Sequence, residues 1–225
     1  MTSKSIAPLK TLDEEWLATY AAGGLSNAKR LLIACQAAIE PRLAAFLSEL
    51  DQIGGNFLET ANGEILSDGF MANVMNALDK PTTPQSNMTT QAPKSDLASW
   101  APAPLRNFVE QANLGLKWKN AGPGVQRVPL TDNDGEMLYL LKAKPGLKVP
   151  KHSHRGEEWT LLLQGGYHVG DQGFARGDLH QEDENCTHQP IIDDDGEACI
   201  SLVAVEGRLK FSDPIVKIFQ PLIGI

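Results

Sequence analysis

Apolar residues recur along this chain at two different periods, and the change of period divides it. Over residues 12–79 the spacing is three and four, which predicts helices. Leu12-Asp-Glu-Glu-Trp-Leu-Ala-Thr-Tyr-Ala-Ala-Gly carries acidic residues in its first turn, with Trp16, Leu17 and Tyr20 behind them and Gly23-Gly24 as a stop. A second stripe runs through Ala28, Leu32, Cys35, Ile39, Leu43, Phe46 and Leu50. Pro41 kinks it or opens a new helix, and Gly54-Gly55 is expected to end it. Ser67-Asp-Gly introduces a third stripe, with Phe70, Met71, Val74, Met75 and Leu78 on one face. All three read most simply as the core of a small helical bundle. The sharper reading makes the Phe70–Leu78 face a partner-binding surface, because methionine-rich faces repack easily.

From Leu116 onward the period is two, with turn residues between short runs. The expected strands are Leu116–Lys119, Val125–Leu130, Glu136–Ala143, Lys148–Lys151, Glu158–Gln164, Tyr167–Val169, Asp178–Gln181, Thr187–Ile192, Ala198–Val205 and Val216–Gln220. Pro129 cannot donate to a ladder, which favours a sheet edge for the second of these. Between the two halves, Pro81-Thr-Thr-Pro-Gln-Ser-Asn-Met-Thr-Thr-Gln-Ala-Pro is too polar and proline-rich to build a core. A short helix from Pro104 to about Leu114 follows it. The pattern therefore predicts an α+β multidomain chain: a helical bundle (1–80), a flexible linker (81–103) and a β-barrel of jelly-roll type (104–225).

Composition narrows the function. Of 225 residues 42% are apolar, as in ordinary soluble proteins, and no run reaches the roughly 18–20 apolar residues that span a bilayer. The N-terminus lacks the apolar core and cleavage site of a signal peptide, so a cytoplasmic protein that does not engage membranes is expected. Cys35, Cys186 and Cys199 are an odd, scattered set, which argues against disulfides and against a thiolate zinc knuckle. Cys186 lies two residues from His188 and could be redox-active, although an inert thiol is the plainer reading. A net charge of −8 disfavours direct contact with nucleic acid but suits an acidic regulator of a nucleic-acid-binding protein, and equally an enzyme.

All five histidines lie between positions 152 and 188. His152 and His154 are two apart and project from one face of a strand, and Glu158 returns to that face if the intervening turn keeps register. His188, from a later strand, completes a set of three imidazoles and a carboxylate, suited to Zn²⁺, Fe²⁺, Mn²⁺ or Ni²⁺. The frame Gly146-(x5)-His152-x-His154-(x3)-Glu158-(x6)-Gly165 resembles the first cupin motif at every fixed position. The second motif is looser: Gly177-Asp178 supplies its turn, and His180 competes with His188 for the last ligand. His168 and His180 otherwise read as surface or ligand-backing histidines, Glu157 should point out of the barrel, and Asp193–Asp195 reads as a solvated hairpin tip.

The chain as a whole resembles the ChrR-type cupin anti-sigma factors. The resemblance rests on Leu17-Ala-Thr-Tyr-Ala-Ala-Gly-Gly-Leu-Ser, Gly54-Gly55, Leu116-Lys-Trp-Lys-Asn-Ala-Gly-Pro-Gly-Val, the segment from His152 to Gly166, and Phe219-Gln-Pro-Leu. It favours His188, because Thr187-His-Gln-Pro is similar to the family's motif ending. It implies a helical domain that sequesters an extracytoplasmic-function-type sigma factor, and a cupin holding one divalent ion, zinc foremost, through His152, His154, Glu158 and His188. It further implies that this cupin senses oxidative stress and triggers release. One departure stands out. The family's helical domain holds a second zinc, and an ungapped alignment puts Thr11, Gln36, Glu40 and Leu43 at its ligand places. No zinc is expected there, and the helices should be held by apolar packing alone, with Leu43 filling the vacated space. An anti-sigma factor that is no enzyme, with no catalytic residues, is thus the leading expectation. A metal-dependent cupin dioxygenase acting on a small chelating substrate is the alternative, and a ligand-binding cupin whose helices serve homodimerisation is the third reading.

Overall fold

The computed structural model describes residues 10–63, 65–78, 97, 99–133, 135–194, 196–207 and 210–211. Five helices precede the strands: α1 (Glu14–Ala21), α2 (Asn27–Ile39), α3 (Pro41–Thr60), α4 (Phe70–Leu78) and α5 (Ala103–Gln111). Gly23 ends the first by taking φ +77°, where a side chain would be strained, and the Gly24 N–H donates to Thr19 O at 2.9 Å. Ser26 caps α2, its Oγ accepting from the Lys29 N–H at 3.2 Å. Pro41 does open a new helix, at its first position.

Gly54-Gly55 does not end α3, which continues to Thr60. A glycine stop works by adopting positive φ, and neither of these glycines does. Within a helix each costs only about 1 kcal/mol relative to alanine, which the flanking turns absorb. The bundle-core reading also fails for α4: Phe70, Met71, Val74, Met75 and Leu78 are all exposed. Most of the expected linker, residues 81–96 and 98, lies outside the described residues, whereas Leu97, Trp100 and Ala101 near its end are buried.

The strands are β1 (Lys119–Gly122), β2 (Val125–Asn133), β3 (Glu136–Ala143), β4 (His152–Ser153), β5 (Glu158–Gln164), β6 (Gly166–Val169), β7 (Gln172–Ala175), β8 (Leu179–Glu182), β9 (Ile191–Ile192), β10 (Cys199–Glu206) and β11 (Lys210–Phe211). A six-stranded sheet has the order β1-β2-β3-β10-β5-β8, a three-stranded sheet the order β7-β6-β9, and β4 pairs with β11. The expected strand Val216–Gln220 falls outside the described residues, and Lys148–Lys151 forms only a single bridge, Lys148 to Ile191. β2 is not an edge strand, yet Pro129 is tolerated. β1 covers only Val125–Arg127, and a bulge follows Pro129 opposite Tyr139.

Both faces of the large sheet are covered. On the inner face Ala143, Leu162 and Cys199 pack against Tyr167, Phe174 and Ile192 of the small sheet. On the outer face Leu138, Leu140, Trp159, Leu161, Leu202 and Ala204 share one core with Leu17, Leu32 and Ile33 of the helices and with Leu105 and Val109 of α5. This explains why β5 is buried at six consecutive positions. Its alternation sends Trp159, Leu161 and Leu163 to the helices, and Glu158, Thr160 and Leu162 to the interior.

Apolar packing is not all that joins helices to barrel, contrary to expectation. Gln36 is fully buried, and its amide donates to Lys10 O and to Gly177 O, both at 2.9 Å, while its Oε1 accepts from Thr11 Oγ1 at 3.1 Å. Thr11 and Gln36, two of the four places aligned with the absent zinc ligands, thus meet through a hydrogen bond, while the bond from Gln36 to Gly177 O ties α2 to the barrel. Leu43 is buried, as a space-filling residue should be. Lys29, also buried, places Nζ 2.7 Å from Glu157 and 2.6 Å from Glu206, above the rings of Trp16 and Trp159. Burial alone would lower its pKa, but the two carboxylates outweigh burial and raise it.

Candidate metal centre

Backbone pairing assembles the histidine cluster. His152 and His188 form an antiparallel bridge, each N–H donating to the other's carbonyl at 3.1 and 3.0 Å, so their rings lie 4.4 Å apart between centroids. His154, two residues along, presents its ring from the same side, 5.1 Å from that of His152. The chain then turns at Arg155-Gly156, where an added Cβ would meet Glu206 at 2.8 Å. Glu158 follows as the first residue of β5 and points inward. Donor atoms of His152, His154, Glu158 and His188 all lie within 4.8 Å of one another, and all four residues are buried.

The protons in this cluster do not suffice for its nitrogens. His188 Nε2 stands 3.1 Å from His154 Nε2 and 3.0 Å from His152 Nε2. His152 Nδ1 is 2.7 Å from Pro150 O, a carbonyl that can only accept, so Nδ1 carries the proton and Nε2 turns a lone pair inward. His188 Nδ1 lies 3.2 Å from the Glu182 carboxylate, off the line of a fully formed hydrogen bond, which favours the same tautomer there. Inward lone pairs this close repel unless a cation sits among them. Adding protons is not the remedy: burial, reinforced by neighbouring histidines, lowers the pKa of His152 to about 4 and of His154 to about 3. Burial likewise raises Glu158 to about 7, its Oε1 accepting from Thr160 Oγ1 at 3.2 Å. Neutral imidazoles and a carboxyl that can still ionise near neutral pH are the donor set a divalent ion needs, and the cluster supports a metal site.

His180 is not in this group. It lies on β8, is buried, stacks on Phe174 at 4.0 Å and contacts Glu182 at 2.8 Å. His168 is half exposed and 3.3 Å from Asp193, which is exposed to the same degree; Asp195 falls outside the described residues. Glu157 points away from the interior, to Lys29. The Cys186 thiol bonds to Glu182, which raises its pKa to about 11, and it is partly exposed rather than the buried thiol expected. Sequence reasoning passed over Glu182, although its two-residue spacing from His180 on a strand was a usable signal. It also passed over Lys29, and read Gln36 only as the replacement of a zinc ligand, because their partners in the barrel are more than a hundred residues away.

Comparison with known proteins agrees with this architecture. The ChrR Cupin-like domain matches residues 109–205. The anti-sigma-E factor ChrR of Cereibacter sphaeroides is 33% identical over 209 residues, spanning 93% of this chain and 95% of that protein. The crystal structure of Rhodobacter sphaeroides SigE in complex with the anti-sigma ChrR superposes with a TM-score of 0.73 at 31% identity, covering 88% of this chain and 98% of the matched one. Among the described residues no helix is long and apolar enough to cross a membrane. Matched in both its helices and its barrel, this chain belongs to the ChrR-type family of cupin anti-sigma factors.

Proposed function

We propose that this chain is a cytoplasmic anti-sigma factor rather than an enzyme. Its helical part (1–80) holds an extracytoplasmic-function-type sigma factor. Its barrel part (104–225) holds one divalent ion, zinc, through His152, His154, Glu158 and His188, and senses oxidative stress. The observation that carries the first half is an exposed apolar surface. Ile53 and Phe57 on α3 are 52% and 71% exposed, and Met71, Met75 and Leu78 on α4 are 67%, 52% and 74% exposed. Single exposed apolar residues are ordinary, but a series along two successive helices marks an interaction surface. The relative of known structure was solved with a sigma factor bound, and this chain is alike over 88% of its length. A sigma factor is therefore the occupant we assign to the surface.

A bound zinc ion would supply a charge-neutralising cross-link between the segments bearing His152, His154, Glu158 and His188. Those residues keep water out of the cluster and hold three inward lone pairs ready. The test is to recover the tagged full-length chain from its own source cells and identify what accompanies it by mass spectrometry. A stoichiometric sigma factor is expected, and a Phe57→Asp, Met71→Asp double variant should lose it by at least about tenfold. Recovery of the protein alone under all growth conditions would transfer the assignment to a metal-dependent cupin enzyme.

A further inference from the structure

The cluster has a requirement that its four ligands do not meet by themselves: each imidazole must face inward with its lone pair, so each needs an acceptor at its outer nitrogen. Pro150 O provides one for His152. For His188 the group at the outer nitrogen is Glu182, with Oε1 3.2 Å from Nδ1. We propose that Glu182 is a positioning residue for the metal site, fixing His188 in the Nδ1–H tautomer and thereby setting the affinity of the cluster. The proposal rests on the metal-site reading above and extends it to three residues outside the ligand set.

Glu182 is itself held in place. It is buried, and the His180 Nε2–H points to the same Oε1 at 2.8 Å. His180 is oriented in turn: its Nδ1 lies 2.7 Å from the Tyr167 hydroxyl, and its ring stacks on Phe174. Because the phenol O–H donates to Nδ1, the proton of His180 stays on Nε2 and faces the carboxylate. Donors thus converge on Glu182 from both sides: the Tyr167 O–H to His180 and the His180 Nε2–H to the carboxylate on one, and the His188 Nδ1–H to the same carboxylate on the other.

The sheet explains the placement. His180 and Glu182 are two apart on β8 and share its inner face, and Glu182 stands directly across from Glu158 in the β5–β8 pairing. Two carboxylates side by side in a buried place divide their roles. At Glu182 the His180 Nε2 and His188 Nδ1 lie 2.8 and 3.2 Å from Oε1, whereas at Glu158 the Thr160 hydroxyl donates to Oε1 at 3.2 Å. Glu182 is thus engaged by the histidine behind the ligand, and Glu158 is left to face the cluster.

Three measurements on the full-length chain test this. Long-range ¹⁵N NMR of metal-free protein should show His188 as the Nδ1–H tautomer, and Glu182→Gln should convert it to a mixture. Chelator competition should show Zn²⁺ held 10- to 100-fold more weakly by Glu182→Gln, the loss known for carboxylates that back metal-bound histidines. The milder Tyr167→Phe, which leaves the carboxylate in place, should show a smaller loss of a few-fold. The visible spectrum of the Co²⁺-loaded variant should match that of the wild type, because Glu182 is not a ligand. Unchanged affinity and tautomer in Glu182→Gln would overturn the proposal, as would a Co²⁺ spectrum of altered coordination. A wild-type chain that takes up neither ion would instead overturn the metal-site reading itself.

Discussion

Two of the buried polar clusters among the described residues, one around Gln36 and one around His188, are built on opposite principles. Around Gln36, the donors and acceptors match: two amide N–H groups meet two carbonyls, and one carbonyl oxygen meets one hydroxyl. Around His188, they do not: its Nε2 lies 3.1 Å from His154 Nε2 and 3.0 Å from His152 Nε2, with too few protons to share. The first cluster satisfies itself and works as a joint. The second is incomplete without a cation and works as a site. Burial and polarity alone would not separate them, whereas a count of protons does.

The largest predicted effect breaks the second cluster. His152→Ala should abolish metal uptake by the full-length chain, to below about 0.1 ion per chain by elemental analysis. Its helix content by circular dichroism should remain that of the wild type. A variant that kept its zinc would mean that the His152 nitrogen is not needed and that the two clusters do not differ as described.

The next effect breaks the first cluster. Gln36→Leu has similar volume but strands the Lys10 and Gly177 carbonyls, at a cost of about 2–4 kcal/mol in chemical denaturation. Metal affinity, measured by the same competition, should change by less than about threefold. Collapse of both properties together would show that the joint and the site are one unit.

The smallest effect sharpens the contrast through pH. His152 and His154 have folded pKa values near 4 and 3, below the ordinary value of 6.5. As pH falls from 7 to 5 the unfolded metal-free chain binds protons that the folded chain refuses, so their contribution to stability is lost. Glu158, raised to about 7, acts in the opposite sense: the folded state takes up its proton first, which returns part of that loss. The balance is a net fall of about 1–2 kcal/mol between pH 7 and pH 5, measured on metal-free protein by urea unfolding. Gln36 and its partners do not titrate, so the Gln36→Leu variant should show the same pH difference.

Where period and turn chemistry act locally, the sequence was readable. Glu136–Ala143 and Glu158–Gln164 form strands with the expected bounds, and Pro41 opens a helix. His152 and His154 could be paired because imidazoles spaced by two share a face, whereas Glu158 came from the cupin-like frame and the choice of His188 over His180 from the family resemblance. What escaped depends on distant surroundings. The helix through Gly54-Gly55 is decided by backbone angles that composition does not set, and the short strand Gln172–Ala175 has a single buried residue to announce it. The exposure of Met71 and Leu78 was equally hidden, since a stripe that faces a core and one that faces a partner have the same spacing. Glu182 lay in plain view beside His180 but looked like one more surface acid.

The neighbours Glu157 and Glu158 carry a consequence for how the two halves of the molecule share information. One carboxylate turns inward among the histidines, and the next turns outward to the buried ammonium of Lys29 on α2. The wall between the barrel's interior and its helices is, at this point, a single peptide unit thick. A peptide unit is planar, so a backbone tilt at Glu158 also turns the Cα of Glu157, whose carboxylate holds the Lys29 ammonium on a helix. A displacement of Glu158 that reaches its backbone therefore has one residue, Glu157, to pass before it meets α2.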